Sequence, residues 1–312
     1  MLFGNECSLH LSVMYMKFNW QYQSEEPIKL KTFIKNQGLS RHLMAKVRHQ
    51  GGKVLINGTE NRKVDCILPG TVVSVCMPPE KNRKRELIPS YVPIDILYED
   101  RDYLILNKPA HVNSIPSIPQ PRDSMVNRVY GYYQLRGYYD IIPHIITRLD
   151  RDTSGVVLFA KHRYAAAMLT DQMQKHQIKK TYTAFLSGSL LQDHFVIDQP
   201  IGRVENSLIK RRVVSTGKEA QTEYFVKRRM SSYTICDVRL HTGRTHQIRV
   251  HSNFIGHPLV ADTLYGGKIN LPLQRQGLHC REIEFYHPFK QQVVKFSVDL
   301  PADMQDFENT KQ

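Results

Sequence analysis

Apolar residues in the first third of the chain are spaced first as in helices and then as in strands. The first helical set is Leu30, Phe33 and Ile34, and Gly38 ends this helix. The second set is Leu43, Met44 and Val47, and Ser40 can cap this helix. Residues 54–56 then run into Asn57-Gly58, a strong hairpin signal, and residues 71–77 form a further apolar run. The pattern predicts two short helices followed by a small β-hairpin and a strand.

From Ile94 onward, runs typical of strands alternate with amphipathic segments typical of helices. The predicted strands cover residues 94–98, 103–106, 156–160, 181–186, 221–226, 233–240, 281–286 and 293–300. Helices are predicted over residues 124–133 and 162–176, and after a cap at Thr245, with Ile248, Val250 and Phe254 as apolar contacts of the third. Helices lying over a mixed, mainly antiparallel sheet make this an α+β fold.

Changes in composition divide the chain into five segments. We predict an N-terminal extension with a first strand at residues 1–26, a compact α/β module at 27–78, a proline-rich basic linker at 79–93, a large domain at 94–304 and a tail at 305–312. Residues 1–15 lack clear periodicity, whereas the chain from Met16 alternates apolar and polar residues like an opening strand. We therefore expect the functional protein to begin at or near Met16; the alternative is an extension packed through Leu9, Leu11 and Val13.

Charge and cysteine usage restrict the partners and the compartment. The 312 residues include 43 Lys and Arg against 29 Asp and Glu, a net charge of +14, which favours a polyanionic partner such as nucleic acid or an acidic membrane surface. No apolar run is long enough for a transmembrane helix, so we expect no membrane insertion. Five scattered cysteines without a Cys-x-x-Cys pair, and the absence of a signal-peptide pattern, predict a reduced, cytoplasmic protein.

The strongest candidate for chemistry is the segment 148–161, which begins charged and continues as an unbroken apolar run. Asp150 and Asp152 fall on the loop that enters the predicted strand at 156–160, where a sheet can hold a carboxylate steady. Aspartate followed by small residues is also ordinary turn chemistry. Spacing alone does not favour Asp150 over Asp152.

This segment resembles the Arg-Leu-Asp-x-x-Thr-Ser-Gly signature of RluA-type pseudouridine synthases. The resemblance implies that Asp150, at the family's first Asp, is the catalytic residue. Thr147 stands where the family usually has a histidine before the arginine. Arg148 would then hold the RNA at the place from which the target base is flipped out.

Further segments resemble the same family in the same order. Residues 107–110 are similar to its Asn-Lys-Pro segment, and residues 217–222 also match. Residues 180–188 resemble its Lys-x-Tyr-x-Ala pattern, which places Tyr182 in the uridine pocket, although a strand tyrosine is most often simply part of the core. Residues 243–251 match Gly-Arg-Thr-His-Gln-Ile-Arg-x-His, whose second arginine, here Arg249, partners the catalytic aspartate.

Histidines near this last motif raise the question of a metal site. The four are His241, His246, His251 and His257, and their spacings do not put two ligands on one helical face. We expect no metal, and we interpret the histidines as hydrogen-bonding groups at helix ends or as RNA contacts. Arg244 and His246 are the predicted RNA contacts of this segment.

The N-terminal module resembles the S4 RNA-binding module at residues 39–41, 54–58 and 69–70. The resemblance implies that Arg41, Lys46 and Arg48 present the second helix to RNA phosphates. An amphipathic helix with a solvated basic face is the alternative.

The resemblance implies an isomerase that breaks the N1–C1′ bond of uridine, turns the uracil and rejoins it through C5. No cofactor is expected, since the reaction needs neither redox change nor phosphate, and no Gly-x-Gly-x-x-Gly motif occurs. The expected partner is RNA, with large-subunit ribosomal RNA first and tRNA as the alternative, and a monomer is expected. A non-catalytic RNA-binding or ribosome-assembly factor and a glycosidic-bond hydrolase are the other function classes.

Overall fold

The computed structural model describes residues 16–60, 65–80, 87–138, 140–207, 209–269 and 272–310. The chain forms two compact units, Met1–Lys81 and Asn82–Gln312. The prediction about residues 1–15 concerns a segment outside the described ranges. None of the helices in those ranges is long and apolar enough to cross a membrane.

The first unit is a small α/β module. Its elements are β1 (Met16–Gln21), β2 (Ile28–Lys29), α1 (Leu30–Asn36), α2 (Arg41–His49), β3 (Lys53–Ile56), β4 (Thr59–Glu60), β5 (Cys66–Ile67) and β6 (Val72–Met77). Four strands form an antiparallel sheet in the order β1-β6-β3-β4, and β2 pairs with β5. The β3–β4 turn has Asn57 at φ 49° and Gly58 at φ 84°, the left-handed pair that a two-residue hairpin requires.

The helices of this unit have the cap and the terminating glycine that the sequence predicts. The Ser40 hydroxyl accepts a hydrogen bond from the Leu43 backbone N–H at 3.2 Å and caps α2, and Gly38 turns the chain after α1 at φ 84°. All six apolar residues that the helical spacing singled out are buried. The predicted helices and hairpin are therefore confirmed.

The second unit is built on one large sheet. Its elements are β7 (Asp95–Glu99), β8 (Tyr103–Lys108), α3 (Met125–Leu135), β9 (His144–Ile145), β10 (Ser154–Ala160), α4 (Arg163–Gln174), β11 (Lys179–Ser187), β12 (His194–Asp198), β13 (Ile201–Arg203), β14 (Arg211–Val213), β15 (Gln221–Arg229), β16 (Tyr233–Leu240), α5 (Gln247–Phe254), β17 (Leu278–His287), β18 (Gln292–Ser297) and α6 (Ala302–Thr310). The ten-stranded sheet runs β12-β15-β16-β11-β17-β10-β8-β7, with β18 beside β17 and β9 beside β10. Its one parallel pair among the described strands is β10–β17, so the predicted mainly antiparallel α+β fold is confirmed.

The strand β10 lies inside this sheet between β17 and β8, and all seven of its residues are buried. It pairs along its length with β8 and meets β17 in parallel at Ser154 and Gly155. Gly155 has φ +113°, and a Cβ there would lie 2.1 Å from the Cys280 carbonyl oxygen. The entry to β10 therefore accepts only glycine at this position, and the strand begins two residues earlier than the predicted start at Val156.

The predicted start and contacts of α5 are wrong in two respects. The helix begins at Gln247 after His246, which has φ 59° and makes no side-chain cap, so Thr245 is not the cap. Phe254 is 52% exposed and does not belong to the apolar contacts, unlike Ile248 and Val250. The first error arises because a tight turn precedes the helix where a regular cap was expected.

Both ends of the second unit differ from the predicted linker and tail. Residues 305–310 belong to α6, whose Phe307 is fully buried against Phe185 and Tyr233. In the predicted linker, Ser90 N–H donates to the Asn127 carbonyl of α3 at 3.0 Å, and the Asn127 amide donates to the Ile88 carbonyl at 2.7 Å. The strands β12, β13 and β14 were not predicted, because they are short and carry little apolar alternation.

Candidate active site

The loop that enters β10 carries Asp150, and its neighbours on both sides are tied to the preceding segment of chain. Ser114 makes two hydrogen bonds to Leu149: its hydroxyl accepts from the Leu149 N–H at 2.9 Å and donates to the Leu149 carbonyl at 2.6 Å. Thr153 N–H donates to the Asp150 carbonyl at 3.1 Å and closes a turn. The backbone of Asp150 is therefore held before any ligand binds.

Lys108, in the Asn-Lys-Pro segment at the end of β8, is fully buried behind this loop. Its ammonium donates to the carbonyls of Pro109 at 2.8 Å, Val112 at 2.7 Å and Arg151 at 2.9 Å. Burial lowers the pKa of Lys108 to about 7. One buried cation thus joins the turn after β8 to the residue that follows Asp150.

Arg249 reaches Asp150 from α5. Its Nη1 donates to Asp150 Oδ2 at 3.3 Å, while Nε and Nη2 donate to the two carboxylate oxygens of Asp262 at 2.7 Å and 2.8 Å. The guanidinium also lies over the Tyr265 ring, 5.0 Å from its centroid. Burial alone would lower the pKa of Arg249, but its hydrogen bonds and charge pairing with Asp262 and Asp150 raise that pKa, so the side chain stays charged.

Asp152, which spacing alone did not separate from Asp150, has different partners. Arg151 donates to it from Nε at 2.9 Å, and His111 Nδ1 lies 3.0 Å from its Oδ1. Burial opposes ionisation, yet these partners lower the pKa of Asp152. Asp150 faces Arg249 of another element, whereas Asp152 is paired by its own loop and by His111.

Tyr182 belongs both to the apolar core and to the wall of the cleft described next. It is 4% exposed and packs in the main core cluster. The pairing of β11 with β17 shifts between Thr181 and Tyr182, a bulge that re-aims side chains locally. Burial raises the pKa of Tyr182 well above 10, so its phenol stays protonated.

A cleft of about 1020 Å³ in the second unit brings these groups together. Its lining includes the predicted catalytic residues Asp150, Arg249 and Tyr182 and the predicted RNA contacts Arg148, Arg244 and His246. Arg148 and Arg244 are exposed, and His246 is half-buried. The predicted RNA contacts of the first unit all lie on α2, where Arg41 and Arg48 are exposed and Lys46 is half-buried.

The four histidines that raised the question of a metal each make a different contact. His251 lies fully buried between the Thr222 hydroxyl and the Gln199 carbonyl, His257 contacts the Ser187 carbonyl, and His241 contacts Glu223. His246 Nε2 lies 3.8 Å from Asp150 Oδ2. Within the described ranges, no three His, Cys, Asp or Glu side chains are grouped to hold a metal ion.

Sequence reasoning assigned no role to Lys108, Ser114, Asp262 or Tyr265. Lys108 lies in the segment that resembles the family's Asn-Lys-Pro, Asp262 lies where the family has a Gly-Asp pair, and Tyr265 lies in the Tyr-Gly pair that follows, which was the available signal for these three. Ser114 lies in a loop rich in proline and serine and carries no such signal. Thr147, in place of the family's histidine, has a structural use: its hydroxyl accepts the Leu158 N–H at 3.0 Å.

Comparison with known proteins identifies the family of this chain. The sequence model of the family described as RNA pseudouridylate synthase matches residues 102–254. The uncharacterized RNA pseudouridine synthase YjbO of Bacillus subtilis is 39% identical over 275 residues, which cover 88% of this chain and 96% of that protein. Ribosomal large subunit pseudouridine synthase D of Xylella fastidiosa is 33% identical over 270 residues, which cover 82% of this chain and 80% of that protein.

Solved structures agree on the fold. Human RNA Pseudouridylate Synthase Domain Containing 1 superposes with a TM-score of 0.56 at 23% identity, over 68% of this chain and 85% of that one. With an aspartate, an arginine and a tyrosine lining one cleft, and with relatives matched over most of their length, the chain belongs to the RluA-type RNA pseudouridine synthases and is an isomerase that acts on RNA.

Proposed function

We propose that this enzyme modifies uridines of large-subunit ribosomal RNA and that Asp150 is the residue that acts on the target nucleoside. The observation that carries the assignment of Asp150 is its contact with the buried, charged Arg249 inside the cleft. The similarity to a relative named for the large ribosomal subunit supports the choice of RNA.

The reaction requires one ionised carboxylate beside the ribose. Pseudouridine formation breaks the N1–C1′ bond and joins C5 to C1′, and the proton lost from C5 is balanced by one gained at N1. A carboxylate serves this isomerisation as a nucleophile at C1′ or as a base, and both routes begin with Asp150 unprotonated. An isolated ionised carboxylate in a desolvated pocket would be unstable by several kcal/mol, which Arg249 offsets.

Tyr182 is proposed to stack on the uracil in the cleft. Its ring lines the cleft, and its raised pKa keeps the hydroxyl protonated near neutral pH. A protonated phenol donates a hydrogen bond but does not remove the C5 proton as a base. These properties favour a role in stacking and in hydrogen-bond donation.

RNA is proposed to contact both units. Arg148, Arg244 and His246 would bind it around the cleft, and Arg41, Lys46 and Arg48 would bind phosphates from the S4-like module. The segment Arg41–His49 contains five basic or histidine side chains and no acidic one, which supports a phosphate-binding helix. We also propose a cytoplasmic monomer; Cys66, Cys76, Cys236 and Cys280 are free thiols, which fits a reducing compartment.

Pseudouridine mapping in a strain that lacks the gene, compared with its parent, tests the proposal. We expect one or a few large-subunit rRNA sites to disappear and to return with the wild-type gene but not with Asp150→Asn. Loss confined to tRNA sites would overturn the choice of RNA. A full return with Asp150→Asn would overturn the assignment of the residue.

A further inference from the structure

We propose that Tyr265 is a positioning residue for the reaction, because its hydroxyl holds His246 in the tautomer that presents Nε2–H to the carboxylate of Asp150. The inference rests on the proposed role of Asp150. The sequence motifs suggested His246 only as an RNA contact and assigned no role to Tyr265. A chain of contacts links Tyr265 through His246 to one oxygen of Asp150.

The chain of contacts begins at the hairpin β13–β14. The Arg211 backbone N–H donates to the Tyr265 hydroxyl oxygen at 3.0 Å, and that oxygen lies 2.9 Å from His246 Nδ1. The other ring nitrogen, Nε2, lies 3.8 Å from Asp150 Oδ2. His246 therefore stands between a phenol and a carboxylate, with one ring nitrogen directed at each.

Both neighbours favour the same proton position on the imidazole. The Tyr265 oxygen accepts the Arg211 N–H, and the hydroxyl proton finds its acceptor in Nδ1 when Nδ1 is unprotonated. The neutral ring carries its proton on Nε2 in that case, facing the negative charge of Asp150. The opposite tautomer would point the Nε2 lone pair at a carboxylate and leave the Tyr265 proton without this acceptor.

The backbone at His246 is held in an uncommon conformation. It sits at φ 59°, in the left-handed region that is unfavourable for residues other than glycine. The side chain of Gln247 holds this turn with four hydrogen bonds, to the Arg244 N–H, the Thr242 hydroxyl, the Gln221 carbonyl and the Thr222 hydroxyl. The strained conformation is thus maintained by its surroundings, as is common at functional sites.

The arrangement distinguishes the two oxygens of Asp150. Arg249 Nη1 and His246 Nε2 both approach Oδ2, at 3.3 Å and 3.8 Å. Oδ1 accepts no hydrogen bond from the residues in the described ranges. Oδ2 is therefore the oxygen that Arg249 and His246 both approach.

The variant Tyr265→Phe removes the hydroxyl and keeps the ring under Arg249. We expect kcat for uridine conversion to fall by about tenfold with KM for RNA little changed, the pattern of an interaction used in the chemical step. Tyr286→Phe is the matched control, since Tyr286 is 45% exposed on β17 and does not line the cleft.

A double-mutant cycle separates the tautomer from simple packing. Gln at position 246 has no tautomers and can place an amide N–H near Asp150, so His246→Gln should retain more activity than His246→Asn. Adding Tyr265→Phe to His246→Gln should then have little further effect. If Tyr265→Phe lowers kcat equally in both backgrounds, the hydroxyl only supports the fold through the Arg211 N–H, and the proposal is wrong.

Histidine ¹⁵N NMR of the folded wild-type protein reads the tautomer without any assay of activity. We expect Nδ1 of His246 to be unprotonated in the wild type and the two tautomers to mix in Tyr265→Phe. A protonated Nδ1 in the wild type would overturn the inference. If the wild type fails to convert uridine, the proposed function fails, and this measurement still judges the tautomer separately.

Discussion

Arg249 directs two of its guanidinium nitrogens to Asp262 and one to Asp150. The two bonds to Asp262 measure 2.7 Å and 2.8 Å and the single bond to Asp150 measures 3.3 Å. Asp262 is fully buried, whereas the Asp150 side chain is 27% exposed. The buried Asp262 therefore orients the guanidinium of Arg249, and Oδ2 of Asp150 contacts a cation that is already in place.

We expect Asp262→Asn to lower both stability and activity. The substitution leaves the buried guanidinium of Arg249 only its longer contact with Asp150, and loss of one partner of a buried ion pair destabilises a protein by about 3 kcal/mol. Urea unfolding and single-turnover uridine conversion measure the two effects. The control is Asp171→Asn, which breaks a pair with Lys175 that is 59% exposed on each side and should change stability by less than about 1 kcal/mol. Equal effects of the two variants would contradict the positioning role of Asp262.

We expect Asp150→Asn to abolish pseudouridine formation while the fold and RNA binding are nearly unchanged. The substitution keeps the shape of the side chain and removes only the charge that faces Arg249. Tritium release from C5-labelled uridine measures the reaction, and residual activity above a few percent would refute the assignment. Asp152→Asn is the control and should stay active, since Asp152 pairs with Arg151 and His111.

Lys108→Met should change both activity and the pH dependence of stability. Loss of the bond to the Arg151 carbonyl loosens the residue after Asp150, so we expect kcat to fall roughly tenfold. The pKa of Lys108 is about 7 in the folded protein against 10.5 ordinarily, so the unfolded chain binds more protons between these values. The contribution of Lys108 to stability therefore rises with pH in that window.

Urea unfolding of wild type and Lys108→Met at about pH 7 and about pH 10 measures this linkage. The wild type should gain free energy of unfolding relative to the variant as the pH rises. Lys175→Met, at an exposed position just after α4, should show no such trend. Parallel curves for wild type and Lys108→Met would mean that the buried ammonium keeps an ordinary pKa.

Removal of residues 1–81 should weaken RNA affinity and flatten its salt dependence more than it slows conversion of a short, saturating substrate. The first unit carries the basic helix α2, and each RNA phosphate that this helix no longer neutralises reduces the number of counterions released on binding. The cut follows the boundary between the units and keeps Ile88 and Ser90, which bind Asn127. Unchanged affinity and salt slope would refute RNA binding by this unit.

The sequence by itself determined those features that depend on neighbours along the chain. The cap at Ser40, the Asn57-Gly58 turn, and the helix that the structure places at Arg163–Gln174 follow from period, capping and turn chemistry, all of which act within a few residues. The resemblance to a family added candidates such as Asp150 and Arg249. It could not show their contact, because 99 residues separate them.

Only the tertiary structure decided the features that depend on distant partners. The parallel pairing of β10 with β17, the helix α6 packed through Phe307, and the short strands β12 to β14 arise from burial and register, which no local period encodes. The partners of the two loop aspartates are of the same kind, since Asp150 contacts Arg249 whereas Asp152 contacts Arg151 and His111. The left-handed turn at His246 likewise needs the hydrogen bonds of the Gln247 side chain, two of which reach back to β15.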